Sequence, residues 1–236
     1  MCSRIGAGHR ENGRGCLAVD CGRGFCDAHA RLVCPWHAAE EAEDQGVLFS
    51  DGAAREDIGR TGGAYLLVDG GGEEVARGVA SFDLWGTPAQ SEYVTHLAGC
   101  QAWRQAVEQG CGARATTLWA FMDNRVVVEL AQEASQPCGG ARSSPAILGN
   151  WAHLAPLHKE AVKIFREIRA GGCDVTVKWL PRRSCHIQRV DQEARRAAYR
   201  SLEAGRIERS LFGAYAEAVT LFNSAVPEQR AVWRRC

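Results

Sequence analysis

Apolar residues along the chain follow two periodicities, one typical of buried strands and one typical of helices with a single buried face. Short apolar runs bounded by Gly or Pro predict strands at residues 64–68, 75–84, 116–122 and 175–180, and a very short one near 85–88. A recurrence every three to four residues predicts helices at 91–109, 124–134, 151–170 and 191–223, the last as one helix or as two separated at Gly205. An early hairpin, followed by strands that alternate with helices, predicts an α/β fold with a mixed sheet flanked by helices.

The same pattern divides the chain into four parts. Residues 64–203 form the main predicted domain, and residues 204–236 are a helical extension whose apolar stripe either packs on that domain or forms a dimer. Residues 38–63 are acidic and contain Gly, which is typical of a linker. Residues 1–37 have too few apolar side chains for a core, so this small module needs a bound metal to fold.

Charge and hydropathy bear on the location of the protein and on its partners. The 236 residues have a formal net charge of zero, so composition alone does not indicate a nucleic-acid partner. Residues 182–236 are nevertheless rich in Arg, which is typical either of a phosphate-binding surface or of a solvated helix face. The chain begins without the apolar run of a signal peptide and contains no stretch long enough to span a membrane. We therefore expect an intracellular protein, cytoplasmic or nuclear.

Five of the eleven Cys lie within the first 34 residues and are interleaved with His. Thiolates and imidazoles at such short intervals suit tetrahedral Zn²⁺, which takes four ligands. The alternative is a segment that is merely rich in Cys. The segment around Cys26 and His29 resembles the Phe-Cys-x-x-His knuckle of treble-clef fingers. The predicted zinc ligands are four of Cys21, Cys26, His29, Cys34 and His37, or a set that includes Cys16.

Four acidic residues occupy positions that can bring carboxylates together. Asp69 and Asp123 each end a predicted strand, and Glu92 and Asp191 each lie near a predicted helix start. If the two strands are parallel neighbours, their ends lie about 5 Å apart. Carboxylates grouped in this way bind pairs of Mg²⁺ ions, which catalyse phosphodiester hydrolysis. Taken singly, each of these acids is an ordinary turn or helix-start residue, so the hypothesis depends on the whole set.

Four short motifs in this order resemble the ribonuclease H family. They are Leu67-Val68-Asp69-Gly70-Gly71, Ser91-Glu92-Tyr93, Phe121-Met122-Asp123-Asn124 and Lys178-Trp179-Leu180-Pro181-Arg182, with Asp191 in the place of the last catalytic Asp. The resemblance implies a ribonuclease H-like five-stranded mixed sheet flanked by helices. It also implies an endonuclease that hydrolyses the RNA strand of RNA–DNA hybrids. Its catalytic residues would be Asp69, Glu92, Asp123 and Asp191, which would bind two Mg²⁺ or Mn²⁺ ions.

Substrate contacts are expected around the same motifs. The main chain of Gly70 and Gly71 can approach a phosphate closely because Gly lacks Cβ. Gln90 can donate to a ribose hydroxyl, and Arg182 and Arg183 can bind backbone phosphates.

A different class of function stays open. The same fold can serve as a non-catalytic module that binds nucleic acid or protein through the zinc finger and the basic C-terminal region. A related nuclease that acts on single strands or junctions would share the four acids. A protein partner would bind through the finger or through the C-terminal helix.

Overall fold

A computed structural model describes residues 45–69, 74–110, 116–137, 149–182, 184–199 and 208–233. Its strands form one five-stranded sheet in the order β3-β2-β1-β4-β5. Pairing is antiparallel for β1–β2 and β2–β3, and parallel for β1–β4 and β4–β5. The strands are β1 (Gln45–Arg55), β2 (Arg60–Asp69), β3 (Glu74–Phe82), β4 (Thr117–Met122) and β5 (Asp174–Trp179). The predicted α/β fold with a five-stranded mixed sheet is therefore confirmed.

Helices flank the sheet on both faces. The α-helices are α1 (Pro88–Glu108), α2 (Arg125–Ser135), α3 (Ala155–Ala170), α4 (Cys185–Tyr199), α5 (Arg209–Ser224) and α6 (Pro227–Trp233). Short 3-10 helices cover Glu56–Ile58 and Gly149–Leu154. None of the helices in the described ranges is long and apolar enough to cross a membrane.

Two apolar cores lie on opposite faces of the sheet. The larger one joins α1, α2, α3 and α5 to the face that carries Leu48 and Leu67. The smaller one joins α4 to the face that carries Val47 and Phe49. Consecutive residues of β1 thus contribute to different cores, because side chains of a strand alternate between its faces. Burial on both faces makes β1 the centre of the domain.

Two consecutive glycines let helices approach both faces of β2. A Cβ on Gly63 would lie less than 3.0 Å from the side chain of Thr95 in α1. A Cβ on Gly62 would lie less than 3.0 Å from the main chain of Ala194 and Ala198 in α4. Real Cβ atoms essentially never make such contacts. The pair therefore sets the distance of α1 and α4 from the sheet, and α1 carries Glu92.

The predicted linker at residues 38–63 is wrong for its described part. Residues 45–55 form β1, the middle strand, and β2 begins at Arg60 rather than at residue 64. Only Val47, Leu48 and Phe49 form an apolar run in β1. The small and polar residues after them resemble a hinge in the sequence, whereas hydrogen bonding to β2 makes them a strand.

Other predicted boundaries also change. Residues 85–88 are not a strand but contain the Thr87 cap and the first residue of α1. The helix predicted at 191–223 is two helices, and the first of them begins at Cys185. The second, α5, packs on α1 and α3, so the C-terminal extension packs back on the domain.

Several predicted residues lie outside the described ranges. The zinc prediction falls wholly on residues 1–44, so it stays a prediction. Two of the substrate-contact predictions, the glycines that follow β2 in the sequence and the second Arg after β5, also fall on residues outside the described ranges. These residues are Cys16, Cys21, Cys26, His29, Cys34, His37, Gly70, Gly71 and Arg183.

Candidate active site

Three carboxylates converge where β1, β4 and α1 meet. The side chains of Asp51, Glu92 and Asp123 each offer an oxygen, and these oxygens all lie within 4.8 Å of one another. Asp51 and Glu92 are 1% and 2% exposed, and the side chain of Asp123 is 7% exposed. We call these three residues the acid cluster.

The parallel pairing of β1 and β4 places Asp51 beside Asp123. The last register pair of the two strands is Phe49 with Phe121, and each Asp follows its Phe by two residues. Because neighbouring strands lie about 4.8 Å apart, two side chains at equivalent positions beyond that pair come together at the carboxyl end of the sheet. The main-chain N–H of Gly52 donates to Asp51 Oδ1 at 2.7 Å and orients that carboxylate.

Glu92 reaches the acid cluster because α1 packs directly on β1. A Cβ on Gly52 would lie less than 3.0 Å from the main-chain nitrogen and Cα of Glu92, so only Gly allows this contact. At the end of the Glu92 side chain, the main-chain N–H of Asn124 donates to Oε1 at 3.1 Å. Asn124 also caps α2, its side chain accepting from the N–H groups of Val126 and Val127.

The electrostatics of the acid cluster favour a bound cation. Burial raises the pKa of Asp51 to about 8, and the charges of Asp123 and Asp191 add to the rise. Burial, with the charges of Asp51 and Asp123, also raises the pKa of Glu92 well above its ordinary value. Asp51 Oδ2 is buried and accepts no hydrogen bond. A buried carboxylate oxygen without a donor is costly unless a cation neutralises it, and hard divalent cations prefer such oxygen ligands.

Asp191 approaches the acid cluster from the opposite face of the sheet. It lies in the second turn of α4 and not at a helix start, because α4 begins at Cys185. α4 packs on β1 and β2, and the charge of Asp191 contributes to the raised pKa of Asp51. Its Oδ1 accepts from Arg195 Nε at 2.9 Å. Asp191 is therefore a neighbour of the three clustered acids.

Asp69 does not belong to this group. It ends β2 and pairs with Gly46, five positions before Asp51 in the antiparallel partner strand β1. Five residues of strand span about 17 Å, so Asp69 lies at the opposite end of the sheet. The prediction of Asp69 as a site residue is wrong for this reason, and Asp51 takes its place. Glu92 and Asp123 are brought together as predicted.

Gln90 is also not positioned for a substrate. It is fully buried, its Oε1 accepts from the N–H of Thr87 at 2.8 Å, and its Nε2 donates to the carbonyl oxygen of Ala218 at 2.7 Å. Together with the reciprocal bond from Gln90 N to Thr87 Oγ1, this is a capping box that starts α1 and ties it to α5. Its role is structural.

Basic and aromatic side chains surround the acid cluster on its solvent side. Arg182 Nε donates to Asp123 Oδ2 at 2.6 Å, and Trp179 Nε1 donates to the main-chain oxygen of Asp123 at 2.8 Å. The indole of Trp179 is 37% exposed, and the guanidinium of Arg125 lies 5.0 Å from its ring centroid. This rim combines positive charge with an exposed aromatic face, as surfaces that bind nucleic acid do.

A sequence signal for Asp51 did exist. Phe49-Ser50-Asp51-Gly52 has an apolar residue shortly before an Asp-Gly pair, as does Leu67-Val68-Asp69-Gly70. The longer apolar run before Asp69 favoured Asp69 over Asp51 as the site residue. The described residues within 64–203 contribute to only four strands, so the fifth strand of the sheet comes from the earlier segment that contains Asp51.

No protein-family model matches this sequence, and no curated protein matches it significantly. Solved structures with a similar fold include an RNase H1 from the archaeon Halobacterium salinarum, 22% identical, which aligns over 65% of this chain and 96% of its own with a TM-score of 0.44. The N-terminal RNase H domain of a Mycobacterium tuberculosis protein is 21% identical over 67% and 99%, with a TM-score of 0.45. An RNase H1 isolated from compost is 16% identical over 67% and 98%, with a TM-score of 0.46. These values describe a likeness in fold alone.

Proposed function

We propose that this chain is a metal-dependent endonuclease that hydrolyses the RNA strand of RNA–DNA hybrids with two divalent ions. The observation that carries the proposal is the convergence of Asp51, Glu92 and Asp123 within 4.8 Å, buried and at the carboxyl end of parallel strands. Like charges this close repel one another, and burial increases the cost of keeping them ionised. A structural role would not require three carboxylates there, whereas a cation site does.

The residues present suit Mg²⁺ or Mn²⁺. Asp51, Glu92 and Asp123 would bind the ions, and Asp191 would complete the set from the other face of the sheet. Bound divalent ions supply an activated water for attack and neutralise the charge that develops on the leaving oxygen. Asn124 and Gly52 contribute main-chain N–H groups that hold two of the carboxylates in place. This leaves carboxylate oxygens such as Asp51 Oδ2 for the ions.

The rim of the acid cluster supports a nucleic-acid substrate. Arg182 and Arg125 provide positive charge for backbone phosphates, and Trp179 provides an exposed face for a base or sugar. The choice of an RNA–DNA hybrid among nucleic acids comes from the resemblance of the sequence motifs to ribonuclease H. Proteins recognise such duplexes through phosphates and 2′-hydroxyl groups.

Cleavage of labelled nucleic acids tests this proposal. Purified protein is incubated with Mg²⁺ or Mn²⁺ and an RNA–DNA hybrid, single-stranded RNA, duplex RNA or duplex DNA. We expect cleavage of the hybrid alone, and a loss of at least about 100-fold in Asp51→Asn, because that variant removes a metal-binding carboxylate. Asp69→Asn is the matched control, since it makes the same chemical change at the other end of the sheet, and it should cleave as the wild type does.

The other outcomes distinguish the remaining functions. Cleavage of single strands or junctions would indicate a related nuclease with different substrate loops. Tight binding without cleavage of any substrate would contradict the proposal and favour the non-catalytic binding module. Loss of activity in Asp69→Asn with full activity in Asp51→Asn would contradict the assignment of the site.

A further inference from the structure

The acid cluster carries one ion pair whose two partners lie in different environments. The carboxylate of Asp123 is 7% exposed, whereas the side chain of Arg182, which donates to it at 2.6 Å, is 62% exposed. The pair joins residues 59 positions apart, one after β4 and the other after β5. Arg195 and Asp191, by contrast, are four residues apart on one helix, where such pairs form locally. The contact between Arg182 and Asp123 therefore depends on the tertiary structure.

The main chain near Arg182 is held at the site while its side chain extends into solvent. The N–H of Leu180 donates to the carbonyl oxygen of Met122 at 2.8 Å, which continues the β4–β5 pairing up to the acid cluster. Trp179 donates to the main chain of Asp123 as well. These bonds fix the start of the segment that carries Arg182. The guanidinium itself has room to change partner without any rearrangement of the sheet.

We propose that the Arg182–Asp123 ion pair closes the acid cluster when no metal is bound, and that a divalent cation breaks it and frees Arg182 to bind a backbone phosphate. This inference rests on the proposed function, because it assigns a metal to the same carboxylates. The guanidinium and a cation would compete for Asp123, because both are attracted to the negative charge of the same carboxylate.

The exchange is favourable at each step. The guanidinium carries one charge and is open to solvent, whereas a divalent cation carries two charges and would be held by several carboxylates, so the cation displaces the guanidinium. The released guanidinium is planar and presents paired N–H donors, which match the geometry of a phosphate. Before a metal binds, Arg182 competes with it for Asp123. After the metal has bound, Arg182 is a substrate-positioning residue that binds a backbone phosphate.

Two Arg→Gln variants test this inference with readouts that do not need catalysis. Arg182→Gln removes the proposed competitor. Arg169→Gln is the matched control, because Arg169 pairs with Asp174 at the first residue of β5, the end of that strand remote from Arg182. Mg²⁺ binding is measured by titration calorimetry without nucleic acid. Hybrid binding is measured by fluorescence anisotropy in Ca²⁺.

We expect opposite effects on the two ligands. In Arg182→Gln the dissociation constant for Mg²⁺ falls about fivefold, because no guanidinium competes for Asp123, while that for the hybrid rises about tenfold. Arg169→Gln changes neither. A Mg²⁺ affinity that is unchanged or weaker in Arg182→Gln would overturn the inference, as would hybrid binding that does not change.

Failure of this inference and failure of the proposed function look different. If the wild type cleaves the hybrid but Arg182→Gln leaves Mg²⁺ affinity unchanged, only the inference fails. If the wild type binds Mg²⁺ and hybrid with the expected response to Arg182→Gln but cleaves nothing, the proposed nuclease function fails and the competition between Arg182 and metal stands.

Discussion

Gly52 and Glu92 are in contact through their main chains, although 40 positions separate them along the sequence. A side chain at residue 52 would overlap the main chain of Glu92, so the contact brings α1 onto β1 and Glu92 to Asp51. The geometry of the acid cluster therefore depends on residue 52 having no side chain.

Gly52→Ala tests this dependence. The new Cβ must push α1 away from β1, which we expect to lower the free energy of unfolding by about 1 to 3 kcal/mol and to weaken Mg²⁺ binding. Urea denaturation and titration calorimetry measure the two effects. Gly213→Ala in α5 is the control, because a Cβ on Gly213 would meet nothing within 4 Å. This variant should raise the free energy of unfolding by about 0.5 to 1 kcal/mol, because Ala favours a helix more than Gly does. A Gly52→Ala variant with wild-type stability and Mg²⁺ affinity would contradict the proposed packing.

Asp51 contributes a loss of stability to the metal-free protein as the pH rises. The pKa of Asp51 is about 8 in the folded state and near its ordinary value of 3.8 in the unfolded state, so between these values the folded state binds more protons. The free energy of unfolding then falls with increasing pH, by at most about 1.4 kcal/mol per pH unit for one group. Burial lowers the pKa values of His96, His153 and His158, so these groups raise stability with increasing pH only below about pH 6.5. Urea denaturation without Mg²⁺ at several pH values between about 7 and 8 therefore measures the slope due to Asp51.

Asp51→Asn is the control for this pH dependence. It removes the titrating group, so its stability relative to the wild type should increase with pH over the same range. Saturating Mg²⁺ should reduce the difference, because binding to the folded state stabilises the wild type. Parallel pH profiles of the two proteins without metal would show that Asp51 has an ordinary pKa.

Gln90→Ala should affect stability and not substrate binding. It removes one half of the capping box and the bond to the carbonyl oxygen of Ala218, so we expect the free energy of unfolding to fall by about 1 to 3 kcal/mol. Hybrid affinity in Ca²⁺ should stay as in the wild type. Gln136→Ala changes an exposed Gln and should alter stability by less than about 0.5 kcal/mol. A specific loss of hybrid affinity in Gln90→Ala would restore its predicted role at the substrate.

The N-terminal Cys/His segment predicts a metal content that can be measured directly. We expect purified protein to contain at least one zinc per chain, and Cys26→Ser to lose zinc because thiolate is the preferred ligand. Cys236→Ser, which changes a Cys without nearby ligands in sequence, should retain it. Elemental analysis of the three proteins gives the answer, and wild-type protein free of zinc would refute the prediction.

Local sequence identified the residues whose surroundings are local. Asp123 follows a compact apolar strand, and Glu92 lies in the first turns of a helix, so local periodicity placed both acids on the elements that carry them. Strands β2 to β5 and helices α1 to α3 were predictable for the same reason. Side-chain alternation and helical recurrence are properties of neighbouring residues and need no knowledge of the rest of the chain.

Asp51 shows where local information ends. Its strand has three strongly apolar residues, and the small and polar positions after them belong to a strand only because β2 pairs with them and α1 packs on them. Asp69 has the better local signal, but antiparallel pairing directs β2 away from the carboxyl ends of β1 and β4. The fold class and two of the clustered acids thus followed from the sequence by itself. The tertiary structure decided the third acid and the ion pair of Arg182 with Asp123, because strand direction and helix contacts join residues far apart in the chain.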